Sequence, residues 1–210
     1  MNRKLLTGVA LAAGSLLWAS GSQASQITFG PSAQNITYKG NGNGTLNVST
    51  GSLALTGPAL DTFGDSGTFS FSAFAIGPTS TQTAGVFTLP ANSETFTFTS
   101  GANFLTETVH LTSVVDGSPN PHFEGTDVIS GGSSAFLADF GPVGTTSTID
   151  FISNTLGTTL DTLSLGTSSE SNTLSSGEST FPTPEPASLT LLGSALVGLG
   201  WLGRRRRKSA

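Results

Sequence analysis

The chain has 210 residues, of which 36% are hydrophobic and only 10% charged, and it contains no cysteine. The absence of thiols excludes disulfides, iron–sulfur clusters and thiolate-bound zinc. Seven of the eight cations lie within the first four or the last seven residues, so residues 5–203 set Lys39 alone against thirteen carboxylates, a net charge of −12. Such a charge argues against a nucleic-acid partner.

The first residues have the pattern of a secretory signal. Two cations precede an apolar run, Leu5–Ala19, and small residues follow it. A charged start, an apolar core and a small-residue cleavage site are typical of a signal peptide. We predict a signal helix over residues 1–24, cut by signal peptidase between Ala24 and Ser25. A retained anchor is the alternative, but an apolar core of about 15 residues is short for a membrane span.

Residues 25–166 are predicted to form an all-β ectodomain. Apolar residues recur there with a period of two, and turns rich in Gly and Pro separate the apolar segments. Such short alternating strands favour an antiparallel β-sandwich. The strands are expected around Ile27–Phe29, Ile36–Tyr38, Leu46–Val48, Leu53–Leu55, Thr68–Ile76, Val86–Leu89, Phe96–Phe98, Phe104–Asp116, His122–Ile129, Ala135–Phe140 and Thr148–Ile152.

The longest predicted strand is Phe104–Asp116. One of its faces is apolar, and the opposite face carries Thr106, Thr108, His110 and Thr112. The residues expected to be buried between the two sheets are Phe69, Phe71, Phe96, Phe98, Leu105, Val109, Leu111 and Phe151.

Two local patterns refine this assignment. The polar segment Ser49–Ser52 lies between two apolar pairs, which predicts a tight hairpin. In Thr68–Ile76 the apolar face changes after Ala73. That change predicts a β-bulge or a strand buried on both sides.

The end of the ectodomain is poor in apolar residues. Leu156, Leu160 and Leu163 have a spacing that could begin a helix, but the threonines around them favour a last strand. The following residues are mainly Ser, Thr, Gly and Glu. We therefore predict a flexible spacer over residues 167–183.

One short motif points to nucleophilic catalysis. Gly64–Gly67 reads Gly-Asp-Ser-Gly and resembles the core of the nucleophile loop of chymotrypsin-like serine proteases over these four residues. A serine nucleophile needs a histidine base. The two histidines, His110 and His122, both follow Ser66, whereas that family places its histidine before the serine. Because Asp-Ser-Gly is also a turn sequence, we expect Ser66 to be a turn residue and the protein not to be an enzyme.

Two sets of residues are candidate metal ligands. The first combines both histidines with nearby carboxylates: His110, His122, Glu124 and Asp127. Its spacing fits no known metal motif. The second consists of aspartates that could bind calcium in loops: Asp61, Asp65 and Asp116. The alternating aspartates of a calcium loop are missing, so we expect no cofactor and leave calcium open at this second set.

The threonine-rich face of Phe104–Asp116 is a candidate binding surface. A row of hydroxyls can hydrogen-bond to sugars, but sugar-binding surfaces usually add exposed aromatic rings. Tyr38 is the one Tyr or Trp between the terminal segments. Carbohydrate recognition therefore stays an alternative to a structural role.

The last part of the sequence, residues 184–208, has three parts in order. A short motif, Pro184-Glu185-Pro186, comes first, and its prolines keep the chain extended. Seventeen uncharged residues follow, which as a helix reach roughly 25 Å, close to a ~30 Å hydrocarbon core. The residues expected to anchor this transmembrane helix are Leu189, Leu192, Leu196, Leu199 and Trp201. A basic group ends the segment and is expected to stay in the cytoplasm: Arg204, Arg205, Arg206, Arg207 and Lys208.

This arrangement resembles the PEP-CTERM sorting signal of exported bacterial proteins. The resemblance implies that an exosortase, a membrane-embedded cysteine protease-transpeptidase, recognises Pro184–Pro186 and removes the tail. It also implies a precursor in the inner membrane and a mature form at the cell surface or outside the cell. A plain C-terminal membrane anchor is the alternative.

The resemblance further implies a bacterium that makes exopolysaccharide, with a biofilm matrix as the setting. We expect a structural or interaction protein of the cell surface or extracellular matrix, with exopolysaccharide as the partner that the resemblance suggests. The alternative is a surface carbohydrate- or ligand-binding module assisted by calcium. An exported hydrolase is a third, more distant hypothesis.

Overall fold

The computed structural model of the protein describes residues 24–80, 84–116 and 120–182. The predicted signal helix up to residue 23 and the predicted sorting and anchor segment, residues 184–208, lie outside the described residues. The strands are β1 (Gln26–Phe29), β2 (Asn35–Gly40), β3 (Leu46–Ser49), β4 (Leu55–Asp61), β5 (Ser66–Phe71), β6 (Ala75–Ile76), β7 (Val86–Thr88), β8 (Glu94–Ser100), β9 (Asn103–Val115), β10 (His122–Gly132), β11 (Thr146–Ser153) and β12 (Ser169–Thr180). The helices are α1 (Ser134–Phe140) and α2 (Leu160–Leu165).

Eight of these strands form a closed antiparallel barrel in the order β1-β4-β5-β8-β9-β10-β11-β12. Strand β1 closes the barrel because it pairs with β4 on one side and with β12 on the other, so that Ile27 lies opposite both Asp61 and Ser179. The all-β antiparallel prediction is confirmed. The sheet, however, closes on itself where two packed sheets of a sandwich were expected.

Strand β12 is the main correction to the predicted domain limits. Its first half, up to Thr173, pairs with β2, and its second half pairs with both β11 and β1. The predicted flexible spacer over residues 167–183 is therefore wrong. At one position of this strand, Gly177, the ring of Phe29 and the Cβ of Phe151 leave no room for a side chain.

A small second sheet consists of β6, β3, β2 and the first half of β12. Its buried side chains include Tyr38, whose ring lies 6.0 Å from that of Phe123 in the barrel. The predicted hairpin around Ser49–Ser52 is wrong, because β3 pairs with β2 and β6 while β4 belongs to the barrel. The change of apolar face near Phe74 has a related cause: the chain leaves β5 in the barrel and enters β6 in the second sheet.

Two segments predicted as strands are short helices. In α1, Phe136 stacks on Phe98 with ring centroids 5.3 Å apart, and Phe140 packs against Phe181 at 4.9 Å. In α2, the Thr159 hydroxyl accepts a hydrogen bond from the backbone N–H of Thr162, which caps the first turn. Tertiary packing of two or three apolar residues decides the helical state of segments this short.

Phenylalanine fills the barrel. An eight-stranded barrel has an interior just wide enough for side chains. All the residues predicted as core are at most 2% exposed: Phe69, Phe71, Phe96, Phe98, Leu105, Val109, Leu111 and Phe151. Neither of the helices in the described part of the chain is long and apolar enough to cross a membrane.

Candidate functional site

Four consecutive strands of the barrel contribute to a group of polar side chains in its interior. These residues are Glu107 on β9, Asp127 on β10, Ser147 on β11 and Ser179 on β12. Glu107, Asp127 and Ser179 have no exposed surface, and Ser147 is 6% exposed. We call these four residues the interior polar cluster.

Alternation along the strands accounts for the inward placement. Asp127 lies between Phe123 and Ile129 in the order of buried residues on β10. Ser147 is directly opposite Asp127 in the β10–β11 ladder, and Cβ atoms of opposite residues on one face of a sheet are about 4.5–5.5 Å apart. The Ser147 side chain is therefore held beside the Asp127 carboxyl group.

The Ser179 hydroxyl connects the two carboxyl groups. Its Oγ lies 2.9 Å from Asp127 Oδ2 and 3.3 Å from Glu107 Oε2. A hydroxyl has one proton to donate, so it serves one of these acceptors at a time. Three further oxygens have no hydrogen-bond partner among the described residues: Glu107 Oε1, Asp127 Oδ1 and Ser147 Oγ.

The electrostatics of the cluster favour positive charge. Burial raises the pKa of Glu107 well above its ordinary value, the neighbouring Asp127 raises it further, and the hydrogen bond from Ser179 lowers it. A carboxylate removed from water is penalised in its charged form unless a proton or a cation compensates it. The interior polar cluster can hold either a proton or a cation.

A second group of titratable residues lies on the outside of the barrel. Glu124, Asp150 and Glu178 are successive cross-strand partners on β10, β11 and β12. Like charges directly opposite one another are unfavourable, and each carboxylate has a nearby donor. His122 Nε2 lies 2.5 Å from Asp150 Oδ2, Gln26 Nε2 donates to Glu178, and a serine hydroxyl donates to Glu124.

This outer row borders a shallow groove of about 380 Å³. The polar residues that line it are Thr28, His122, Asp150, Ser176 and Glu178. The groove is open to solvent and offers hydrogen-bonding groups of both kinds. It is a surface on which a polar ligand could lie.

The structure does not bring Ser66 to a histidine. Ser66 begins β5 next to the turn that contains Phe63, and Phe63 packs against Phe140 of α1. His122 begins β10, whose far end leads into α1, and eleven strand residues span roughly 33 Å. His110 Nδ1 lies 2.5 Å from the Asn92 carbonyl oxygen. Ser66 is therefore the first residue of β5, opposite Leu60 of β4, and it follows the turn in which the sequence analysis placed it.

The first predicted metal set is divided by the barrel wall. Asp127 points into the barrel, whereas His110 and Glu124 are exposed on its outside. Within residues 24–80, 84–116 and 120–182, no three His, Asp or Glu side chains are arranged to hold a metal. The interior polar cluster falls outside that class because two of its four side chains are hydroxyls.

The aspartates considered for calcium have local partners. Asp61 Oδ1 accepts hydrogen bonds from the backbone N–H groups of Phe63 and Asp65, at 3.0 and 2.8 Å. Asp116 Oδ2 accepts one from the backbone of Asp161 in α2. Asp61 and Asp65 thus share a turn, while Asp116 stabilises the start of a helix elsewhere. Calcium at these positions stays a prediction.

The threonine face of β9 lies on the outside of the barrel, as predicted. Thr106 pairs with Thr97 on β8, which in turn pairs with Ser70 on β5 and, through it, with Thr56 on β4. Four neighbouring strands thus present a row of hydroxyls to solvent. Tyr38 is fully buried and cannot stack on a sugar, and the large exposed rings of the described residues are Phe63 and Phe104.

The residues that follow β12 in the sequence carry the decisive comparison. The family model of the PEP-CTERM protein-sorting motif matches residues 182–207. The chain carries a PEP-CTERM sorting motif, which supports the prediction that it is an exosortase substrate. No curated protein and no solved structure matches it.

The PEP-CTERM motif shows that the protein is exported and directed to the cell surface, with an exosortase as its processing enzyme. The match includes Pro184, Glu185 and Pro186 and most of the basic group. It begins directly after the barrel, since Phe181 is fully buried. The ectodomain lies outside the match, so its activity has to be argued from its own geometry.

Sequence analysis missed the interior polar cluster, although its signal was present. Glu107 lies between Leu105 and Val109 on the apolar face of the longest predicted strand. Asp127 likewise lies in phase with Phe123 and Ile129. A carboxylate in phase with an apolar face indicates a buried charge at that position.

Proposed function

We propose that the mature protein is a non-catalytic structural or interaction protein of the bacterial cell surface or extracellular matrix. Its PEP-CTERM motif is the observation that carries this proposal. The barrel supports it, because an interior filled with phenylalanine leaves the outer surface as the part that meets a partner. Exopolysaccharide is the partner we propose.

The outer surface suits a hydroxyl-rich polymer. The row of Thr56, Ser70, Thr97 and Thr106 can donate and accept hydrogen bonds along a chain of sugars. The strongly negative ectodomain stays soluble outside the cell and is not drawn to anionic lipid. A weak, repeated contact of this kind fits a matrix protein better than a tight binder of one small ligand.

Co-sedimentation with exopolysaccharide from the host tests the proposal. Wild-type ectodomain should sediment with the polymer, and a Thr97→Ala, Thr106→Ala variant should sediment less. The matched control, Thr158→Ala with Thr167→Ala, makes the same chemical change near α2, away from the row. Equal co-sedimentation of the two variants would show that the threonine row does not bind the polymer. A deletion strain with an unchanged matrix and unchanged cell-surface properties would remove the matrix role.

The non-catalytic part of the proposal has its own test. Ser66→Ala should leave any esterase or protease activity of the purified protein unchanged. It should alter the free energy of unfolding by about 1 kcal/mol at most, as expected for a turn hydroxyl. Loss of a measurable activity in this variant would establish a hydrolase and overturn the proposal.

A surface ligand-binding module is the second candidate, and the outer groove is the observation that favours it. His122, Asp150 and Glu178 converge there from three neighbouring strands. Titration of the protein with short oligosaccharides of the host matrix, with and without calcium, would detect such binding by calorimetry. Binding that is lost in Glu178→Gln but kept in Glu170→Gln would favour the module.

A further inference from the structure

We propose that the interior polar cluster is a binding site for a hard divalent cation, held inside the barrel by Glu107, Asp127, Ser147 and Ser179. This site differs from the aspartates of the surface turns, and it is independent of the matrix role proposed above. The proposal rests on the number of oxygens in the cluster, on its charge and on the polar atoms that have no partner.

The cluster supplies six side-chain oxygens, two from each carboxyl group and one from each hydroxyl. All four residues are at least nine-tenths buried. Calcium takes about six to eight oxygen ligands, and magnesium takes six. Nitrogen and sulfur ligands, which zinc and copper prefer, are missing from the cluster. The donor set therefore selects an oxygen-binding cation.

The negative charge of the cluster also favours a bound cation. Two carboxylates in a phenylalanine-lined interior are costly without compensation. Lys39 is the single Lys or Arg among the described residues, and it is exposed on β2, opposite Asn47 and Ser169. No side chain of residues 24–80, 84–116 and 120–182 can therefore neutralise the pair. A divalent cation balances both charges at once.

The oxygens without a hydrogen-bond partner distinguish a bound cation from a proton shared by the two carboxyl groups. A proton between Glu107 and Asp127 would remove one charge and join the two carboxyl groups by a hydrogen bond. Of Glu107 Oε1, Asp127 Oδ1 and Ser147 Oγ, the hydroxyl would still have no partner among the described residues. A buried polar atom that loses its contact with water and gains no hydrogen-bond partner destabilises the folded state. The buried Ser147 hydroxyl distinguishes the two cases, because it is held opposite Asp127 and has no hydrogen-bond partner within the described ranges. A cation would engage all three oxygens.

The full-length chain in detergent, unfolded and refolded with either calcium or EDTA, tests the proposal. We expect one tightly held calcium per chain by elemental analysis and a higher Tm than in EDTA. The Glu107→Gln, Asp127→Asn variant should lose both effects. The matched control, Glu170→Gln with Asp139→Asn, makes the same charge change at partly exposed residues outside the cluster and the outer groove, and it should keep both.

Ser147→Ala keeps the test decisive if the double variant fails to fold. It removes one oxygen and no charge, and it should raise the half-saturating calcium concentration by about tenfold or more, the loss typical of a weakened metal site. Two results would overturn the proposal. In one, calcium and magnesium change neither the Tm nor the metal content, and Glu107→Gln raises the Tm, as a shared proton predicts. In the other, Ser147→Ala binds calcium like the wild type.

Discussion

Phe123 on β10 and Phe151 on β11 lie opposite each other, with their ring centroids 4.5 Å apart and their planes 17° from parallel. Further rings surround this pair: Phe71 lies 5.7 Å from Phe151, and Tyr38 and Phe74 of the second-sheet region lie 6.0 and 6.4 Å from Phe123. The stacked pair therefore connects the barrel to the second sheet, and the stability of both depends on it.

Truncating one ring of this pair should destabilise the whole ectodomain. Phe151→Ala should lower the free energy of unfolding by about 3–5 kcal/mol, because it leaves a cavity that its neighbours cannot fill. Urea unfolding followed by circular dichroism measures this loss. Phe63→Ala is the control, since that ring is 54% exposed and its loss should matter much less. Equal effects of the two substitutions would contradict the packing described here.

Gly177 should resist even the smallest side chain. A Cβ at this position would overlap the ring of Phe29 and the Cβ of Phe151. Gly177→Ala should therefore cost about 1–3 kcal/mol through overpacking. Gly131→Ala on β10 is the matched control, because a Cβ there would meet no atom within 4 Å. If Gly177→Ala were as stable as Gly131→Ala, β12 would not be seated as described.

The period of two predicted much of this fold. It located the long strand β9, the start of β10 and the buried phenylalanines, because alternation depends on local sequence alone. It failed at α1 and α2, which have seven and six residues. Segments that short complete fewer than two helical turns, so their periodicity does not distinguish a helix from a strand.

The closure of the barrel could not be predicted either, and the reason differs from that at α1 and α2. Closure depends on β12, whose inward residues Gly177 and Ser179 are small because phenylalanines of neighbouring strands fill the space. Read alone, such a segment is indistinguishable from a polar linker. If β12 is a spacer, the remaining strands cannot close into a barrel, and the pattern then favours a sandwich. The position of Ser179 in the interior polar cluster was lost with it.

Stability should fall as pH rises in the absence of cations. Glu107 has a raised pKa in the folded state, so that state keeps a proton that the unfolded chain releases near the ordinary value of 4.5. Burial raises the pKa of Asp61 and Glu94 as well, in the same direction. In EDTA, the free energy of unfolding should therefore decrease from about pH 4.5 upward.

Glu107→Gln identifies the source of this pH dependence. The amide cannot lose a proton, so its urea-unfolding profile between pH 4 and 8 should be flatter than that of the wild type. Glu124→Gln on the outer surface should keep the wild-type slope. If the profile of Glu107→Gln were as steep as that of the wild type, the pH dependence of the free energy of unfolding would come from other groups.

Processing should depend on the three residues that begin the sorting segment. Replacement of Pro184, Glu185 and Pro186 by alanine should leave the uncleaved precursor in the inner membrane of a host with an exosortase. Pro142→Ala, in the loop between α1 and β11, is a control outside the matched residues 182–207. Mass spectrometry of the membrane and external fractions distinguishes precursor from product. Normal release of the triple variant would refute recognition through this motif.

The role of β12 can be tested by shortening the chain. A form that ends after Gly166 loses the strand that pairs with β1, β11 and β2, and it exposes apolar side chains such as Phe29 and Phe151. We expect it to be rapidly proteolysed and to show no cooperative unfolding by circular dichroism, whereas a form that ends after Pro182 should unfold cooperatively. A flexible spacer would make the two forms equally stable. Equal stability would therefore contradict closure of the barrel by β12 and would support the domain limit that the sequence predicted.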